Sequence, residues 1–268
     1  MQRRQFLNTS LAASALAISD AAGLQAQGSG SLTGREYYEI RRYQLQSGPQ
    51  TRITAKYIAE ALIPALNRLG MKNVGAFDLY LGPQTPELYV IIPSSSLETL
   101  VTSELLLTKD DEYQKAGEEF LKAAAKEPAY QRIESSLSIA FEGYPKLTPP
   151  PSSPAQHPAR IFQLRTYESP STKAHHSKVQ MFNSGEFDIF AKAGFWNVFF
   201  SDNLIGPRLP SLTYMLGLPD LTELDSKWAA FSADPNWKNL TADPRFNYEP
   251  IVSNVSNLIL KPTRYSQI

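Results

Sequence analysis

The chain of 268 residues has room for one large domain or two of ordinary size. Its 26 basic and 26 acidic residues balance, which removes the cationic excess expected of a nucleic-acid binder. The lack of cysteine excludes disulfides, thiol nucleophiles and cysteine metal sites, and the histidines are only His157, His175 and His176.

The N-terminus reads as a targeting segment. Arg3 and Arg4 precede Phe6 and Leu7, and an Ala-rich apolar run follows from Leu11 to Ile18. That run is too short to span a bilayer. The pattern resembles a twin-arginine export signal over 1–27, which predicts a periplasmic or extracellular mature protein. A Gly/Ser linker occupies 28–34.

Two units follow, 35–147 and 159–268, divided by the Pro-rich stretch "TPPPSSPAQHP" within 148–158. Each has the same predicted order. A strand comes first, at 36–45 and at 160–168. An amphipathic helix follows, and in the first unit Ile53, Tyr57, Ile58, Ala61, Leu62, Ala65, Leu66 and Leu69 form its apolar stripe. Gly70 and Gly194 stand where a helix C-terminus favours glycine. Two strands joined by a Gly-Pro turn come next, then an irregular helical region and a last strand.

The two units align at an offset of 124. Arg41 meets Arg165, Tyr43 meets Tyr167, Gly70 meets Gly194, and Gly82-Pro83 meets Gly206-Pro207. Near the end the offset reads 118, laying "IESSLS" (133–138) over "IVSNVS" (251–256). This is the pattern of a tandem duplication. Each unit reads βαββαβ, so the predicted class is α+β: two tandem ferredoxin-like units forming an intrachain dimeric α+β barrel.

The segments "LRTYESPS", "GFWNVFFSDNLIGP", "LTYML" and "FSADPNWKNL" resemble the NIPSNAP family. The likeness covers both units and is stronger in the second, since the first reads "IRRY" in place of "LRTY". The resemblance implies a place in the dimeric α+β barrel superfamily, whose other members include small monooxygenases and haem-handling and stress-response proteins. It brings no defined enzymatic activity with it, and fold alone does not choose one.

Several residues carry candidate chemistry. Arg41 and Tyr43, like Arg165 and Tyr167, lie two apart on a strand and share a face. Aimed into the barrel, such a pair can bind an anionic or carbonyl-bearing ligand; exposed, it is rim packing. In the second helix Glu186 takes the place of Leu62, and Phe182 that of Ile58. A continuous helix turns Glu186 inward as a candidate general base. The alternative is a capping box, with Asn183 as N-cap and Glu186 at N3. His175, eleven residues earlier, falls on the same face of a continuous helix and could line the same cavity. Asp234-Pro235 marks a helix start. Asn254 and Asn257 are polar residues on opposite faces of the last strand, and Asn254 is a candidate ligand contact.

No Gly-rich phosphate loop, Gly-x-Ser-x-Gly elbow or His-Glu-x-x-His metal motif is present. The expectation is therefore no metal and no cofactor, with a non-covalent haem on one axial histidine as the remaining case. The first functional reading is an exported protein that binds or senses a small apolar or aromatic ligand through Arg41, Tyr43, Arg165, Phe182 and Asn254. The second is a cofactor-free monooxygenase-like enzyme using Glu186, His175 and Tyr167. The third is a structural or assembly role through a homo-oligomer.

Overall fold

The computed structural model describes residues 33–151 and 160–268. Residues 1–27, where the export signal is expected, most of the 28–34 linker and most of the Pro-rich stretch, including His157, lie outside the described residues.

Eight antiparallel strands close into one barrel: β1 (Tyr37–Gln44), β2 (Gly75–Leu81), β3 (Glu87–Ser94), β4 (Arg132–Ala140), β5 (Ile161–Glu168), β6 (Trp196–Ile205), β7 (Ser211–Leu218) and β8 (Asn254–Pro262). The order around the barrel is β1-β3-β2-β8-β5-β7-β6-β4. Four strands come from each half, and each half orders them as a ferredoxin-like unit does, fourth-first-third-second. The halves join where β2 pairs with β8 and β4 with β6. Closure leaves no sheet edge to attract a further strand. The α+β barrel expected from the sequence is the fold observed.

Strand register corrects the last alignment. Tyr43 lies opposite Ile133 on β4, and Tyr167 lies opposite Val255 on β8. Ile133 therefore corresponds to Val255, an offset of 122 (255 − 133) rather than 118. The second unit has only two residues fewer than the first between its opening and closing strands.

Helices cover the outside. The first unit has α1 (Pro49–Tyr57), a π-helical turn (Ile58–Leu62) and α2 (Ile63–Arg68), then short helices α3 (Leu97–Val101), α4 (Ser103–Leu107), α5 (Asp111–Ala116) and α6 (Glu118–Leu121). The second has α7 (Thr172–Met181), a π-helical turn (Phe182–Glu186) and α8 (Phe187–Lys192), then α9 (Leu224–Ala233), α10 (Pro235–Ala242), a 3₁₀ turn (Pro244–Phe246) and α11 (Tyr248–Ile251). As its sequence predicts, α10 starts on Asp234, whose carboxylate accepts from the Asn236 N–H, with Pro235 in the first turn.

α2 and α8 each end in a Schellman motif. Gly70 and Gly194 each have φ 88°. Met71 N–H donates to Leu66 C=O and Gly70 N–H to Asn67 C=O, while Phe195 and Gly194 repeat this on Phe190 and Ala191. The cap fixes where each chain turns back into β2 or β6.

Three apolar clusters fill the molecule. One packs the helices of the first half on their sheet, with Tyr43, Tyr57, Leu62 and Val90. A second does so in the second half, with Tyr167, Phe182, Phe190, Phe200 and Tyr214. The third lies inside the barrel, with Tyr38, Ile40, Phe77, Phe162, Leu164 and Phe199. β3 and β7 are covered on both faces and buried at all eight positions, whereas the first four residues of β4 are exposed.

Candidate functional site

The clusters settle which strand residues point where. Tyr38 and Ile40 on β1 and Phe162 and Leu164 on β5 face the barrel interior, while Tyr43 and Tyr167 face the helices. Alternation then places Arg42 and Thr166 inside, and Arg41 and Arg165 outside. Of the two orientations open to the Arg-Tyr pairs, the inward one is not taken: they belong to the sheet–helix layer.

Inside the barrel the two ends differ. Phe77, Phe162, Phe199, Leu147 and Ile268 are buried at one end. The other end opens as a cleft of about 470 Å³ between the two halves. Its apolar lining is Ile40, Leu164 and Leu258, with Tyr89 beside them. Its two polar walls differ in chemistry because they come from different halves.

The first half supplies a charged wall. Arg42 donates to buried Glu87 and, at 3.0 Å, to Glu134. Tyr89 Oη donates to the second oxygen of Glu87 at 2.9 Å. Burial and the Glu87 carboxylate push the Tyr89 phenol far up, so it stays a protonated donor. The bond to Glu87 raises the Arg42 guanidinium further above its usual range.

The second half supplies a hydroxyl wall. Asn203 Nδ2 donates to Ser211 Oγ at 2.8 Å and Thr213 Oγ1 at 3.0 Å, and Thr213 Oγ1 shares a 3.0 Å bond with Thr166 Oγ1. Asn203 Oδ1 has no hydrogen-bond partner. Arg208 reaches Ser256 at the rim. Both Gly-Pro turns border the opening, through Pro83 and Gln84 in one half and Gly206 and Pro207 in the other. An apolar floor with convergent polar walls suits a small molecule with a ring body and polar substituents at one end.

The other sequence candidates gather in the second sheet–helix layer. Glu186 is 1% exposed, and both its oxygens accept from Lys178 Nζ, at 2.9 and 3.2 Å. It does not close a capping box: Asn183 Nδ2 donates to Val179 C=O, and Ser184 Oγ donates to Gln180 C=O. Burial raises the Glu186 carboxyl, and Lys178, followed by Arg165, opposes that rise. Lys178 Nζ lies 4.6 Å from the Phe182 ring centroid and 5.4 Å from that of Tyr167.

The helix is kinked between the two partners. Residues eight apart on a regular helix stand roughly 80° apart around its axis. Gly185 leaves helical geometry, with φ 127° and ψ 0°, so the helix changes course just before Glu186. The face that an unbroken helix would give His175 and Glu186 in common is lost at that kink. His175 Nε2 bonds Asp202 Oδ1 at 2.7 Å, and Nδ1 has no partner. An axial haem bond through Nε2 would require breaking that pair, and His175 lines neither the barrel-mouth cleft nor the cleft beside Arg41. Among the described residues no group of three or more His, Cys, Asp or Glu could hold a metal ion.

Tyr167 Oη accepts from Arg165 Nη2 at 3.0 Å and from Tyr214 Oη at 2.9 Å. The Arg165 guanidinium lies 4.4 Å from the Trp228 ring centroid. Phe182 is fully buried among aromatic rings, in core rather than at a cleft. Asn254 is exposed and donates to Glu168 at 3.1 Å. Arg41 and Tyr43 line a separate cleft on the helix side of β1. Arg42, Tyr89, Thr166, Asn203 and Thr213, which line the barrel mouth, escaped the sequence reading. The available signal was position: Arg42 and Thr166 each adjoin the flagged Arg-Tyr pairs.

No curated protein matches the chain. A candidate monooxygenase from Fusobacterium nucleatum superposes with a TM-score of 0.55 at 8% identity, covering 85% of this chain and 92% of its own. A second, from Lactobacillus acidophilus, gives 0.51 at 10% identity over 85% and 94%. At these identities the likeness is one of fold. An uncharacterized NIPSNAP-like domain protein from Burkholderia xenovorans is 24% identical over 41% of this chain and 90% of its own, with a TM-score of 0.37. In agreement with the resemblance in "LRTYESPS", residues 162–267 match the model of the NIPSNAP family.

Proposed function

We propose that the protein binds a small, ring-bearing molecule in the mouth of its barrel. The observation that carries this reading is the cleft of about 470 Å³ with an apolar floor, a charged wall and a hydroxyl wall. The ring rests on Ile40, Leu164 and Leu258, and its polar edge meets Thr166, Thr213 and Asn203. Around the opening Arg42 and Arg208 balance Glu87 and Glu134, so the ligand is uncharged or nearly so. Export through the Arg3-Arg4 segment belongs to the same proposal, and makes this an extracytoplasmic binder.

The test is titration calorimetry with 2-naphthol, a neutral aromatic with one hydroxyl. Thr166→Trp places an indole in the cleft and is expected to weaken binding by more than about tenfold, or 1.4 kcal/mol. Equal affinity of this variant and the parent would overturn the placement.

A second reading is favoured by the buried Lys178–Glu186 pair. A carboxylate and an ammonium enclosed by aromatic rings form an acid–base pair of the kind a cofactor-free monooxygenase-like enzyme would use. In that reading Glu186 moves the proton, and Tyr167 and Arg165 orient the substrate from the sheet.

A further inference from the structure

Arg41 and Arg42 are neighbours on β1 and so point to opposite faces. So do Ile133 and Glu134 on the adjoining β4. Arg42 and Glu134 line the barrel mouth, whereas Arg41 and Ile133 line a second cleft, of about 370 Å³, between the sheet and the helices of the first half. The two spaces stand back to back across a wall one sheet thick.

The chemistry of the second space is different. Its walls are aromatic: Tyr57 stacks on Phe120 with centroids 3.8 Å apart, and Phe120 lies 5.4 Å from Tyr130. Tyr57 Oη and Tyr113 Oη share a 2.7 Å hydrogen bond. Burial pushes the Tyr43 phenol up to about 12 and Tyr57 higher still, so these rings stay neutral with electron-rich faces.

Its charge is negative. Glu39 takes two bonds from Arg41, at 2.7 and 3.0 Å, and Glu104 takes a third. Two carboxylates against one guanidinium leave one formal negative charge in excess. Glu104 carries that excess at the opening, with its side chain 57% exposed.

The fold does not require this arrangement. At the offset of 124, Gln163 stands for Glu39 and Trp228 for Glu104. There Trp228 lies under Arg165 and donates to Gln163 at 2.9 Å. The second half builds the same layer with neither carboxylate.

We propose that the first-half cleft is a binding site for a small organic cation of the quaternary-ammonium class. Aromatic faces receive the cation and the Glu104 carboxylate holds it at the opening. This site is separate from the barrel mouth.

The test is choline binding to the full chain, followed by calorimetry and saturation-transfer NMR. Saturable binding is expected, with the neutral isostere 3,3-dimethylbutan-1-ol weaker by roughly tenfold. Glu104→Gln and Tyr130→Ala should each weaken choline by about fivefold. Glu98→Gln, an exposed carboxylate on α3, and Thr166→Trp, in the barrel mouth, should leave it unchanged. Four results would each overturn the proposal: no saturable binding at tens of millimolar, equal binding of the isostere, equal loss in Glu98→Gln, or loss in Thr166→Trp.

Discussion

Replacing Lys178 by Met should cost about 3–5 kcal/mol of stability at neutral pH, because it strips the ammonium from a carboxylate in the core. Both Glu186 oxygens take their bonds from Lys178 Nζ, and Glu186 is 1% exposed. For a chain of this size the melting temperature should fall by roughly 6–20 °C. The double variant Lys178→Met with Glu186→Leu should recover most of the loss, since an apolar pair of similar volume often matches a buried ion pair. The first half shows the layer without this pair: Thr54 and Leu62 occupy the equivalent places, both fully buried.

The loss should also depend on pH. Burial raises the Glu186 carboxyl in the folded parent, and Lys178 is the main opposing influence. Without Lys178 the folded value rises further above the unfolded value of about 4.3. A group raised on folding binds its proton more tightly in the native state. Its stabilising contribution is full below the unfolded value and disappears as pH rises through the folded one. Urea unfolding should therefore find the Lys178→Met deficit smaller near pH 4–5 than at pH 8. A deficit of equal size at both pH values, unrelieved in the double variant, would mean lost packing rather than a stranded charge.

The second large effect belongs to the barrel mouth. Arg42→Ala removes the cation from Glu87, a carboxylate whose side chain is 1% exposed. Tyr89 Oη then remains as its donor. The expected loss is about 2–3 kcal/mol, the value of a charge-assisted bond together with the desolvation left uncompensated. Adding Glu87→Gln should return roughly half of it, because a neutral amide is easier to keep buried than a carboxylate. Chemical denaturation of the three variants measures this directly. The charged wall then proves to be a structural element that also shapes the cleft.

The sequence made the architecture legible because the repeated signals are local. Gly70 and Gly194 mark two Schellman caps, and "GPQTP" and "GPRLP" mark two equivalent hairpins. Strand faces were harder. Alternation reveals which residues share a face but identifies the interior only when the opposite face is polar. Here helices cover one face and the barrel interior takes the other, so β5 reads as buried at Ile161, Phe162, Gln163 and Leu164 in succession. The sequence therefore leaves the side taken by the Arg-Tyr pairs open and gives Arg42 and Thr166 no mark of their own.

The π-turns were hidden for another reason: one inserted residue leaves the apolar pattern nearly intact. Partial signals existed. Pro64 lacks the N–H that an α-helical turn would use there. Gly185 adopts φ 127°, a region that favours glycine. Both sit at the same turn of their respective helices. The consequence reaches the chemistry, because the kink at Gly185 lies between Lys178 and Glu186.

The most direct test of a ligand in the barrel mouth is amide chemical-shift mapping with 2-naphthol on isotope-labelled full chain. The shifts should centre on Ile40, Arg42, Thr166, Thr213 and Ser256, and they should vanish in Thr166→Trp. Shifts confined to the helix layer around Lys178 and Glu186, with the mouth unchanged, would contradict the barrel-mouth site and favour the acid–base reading.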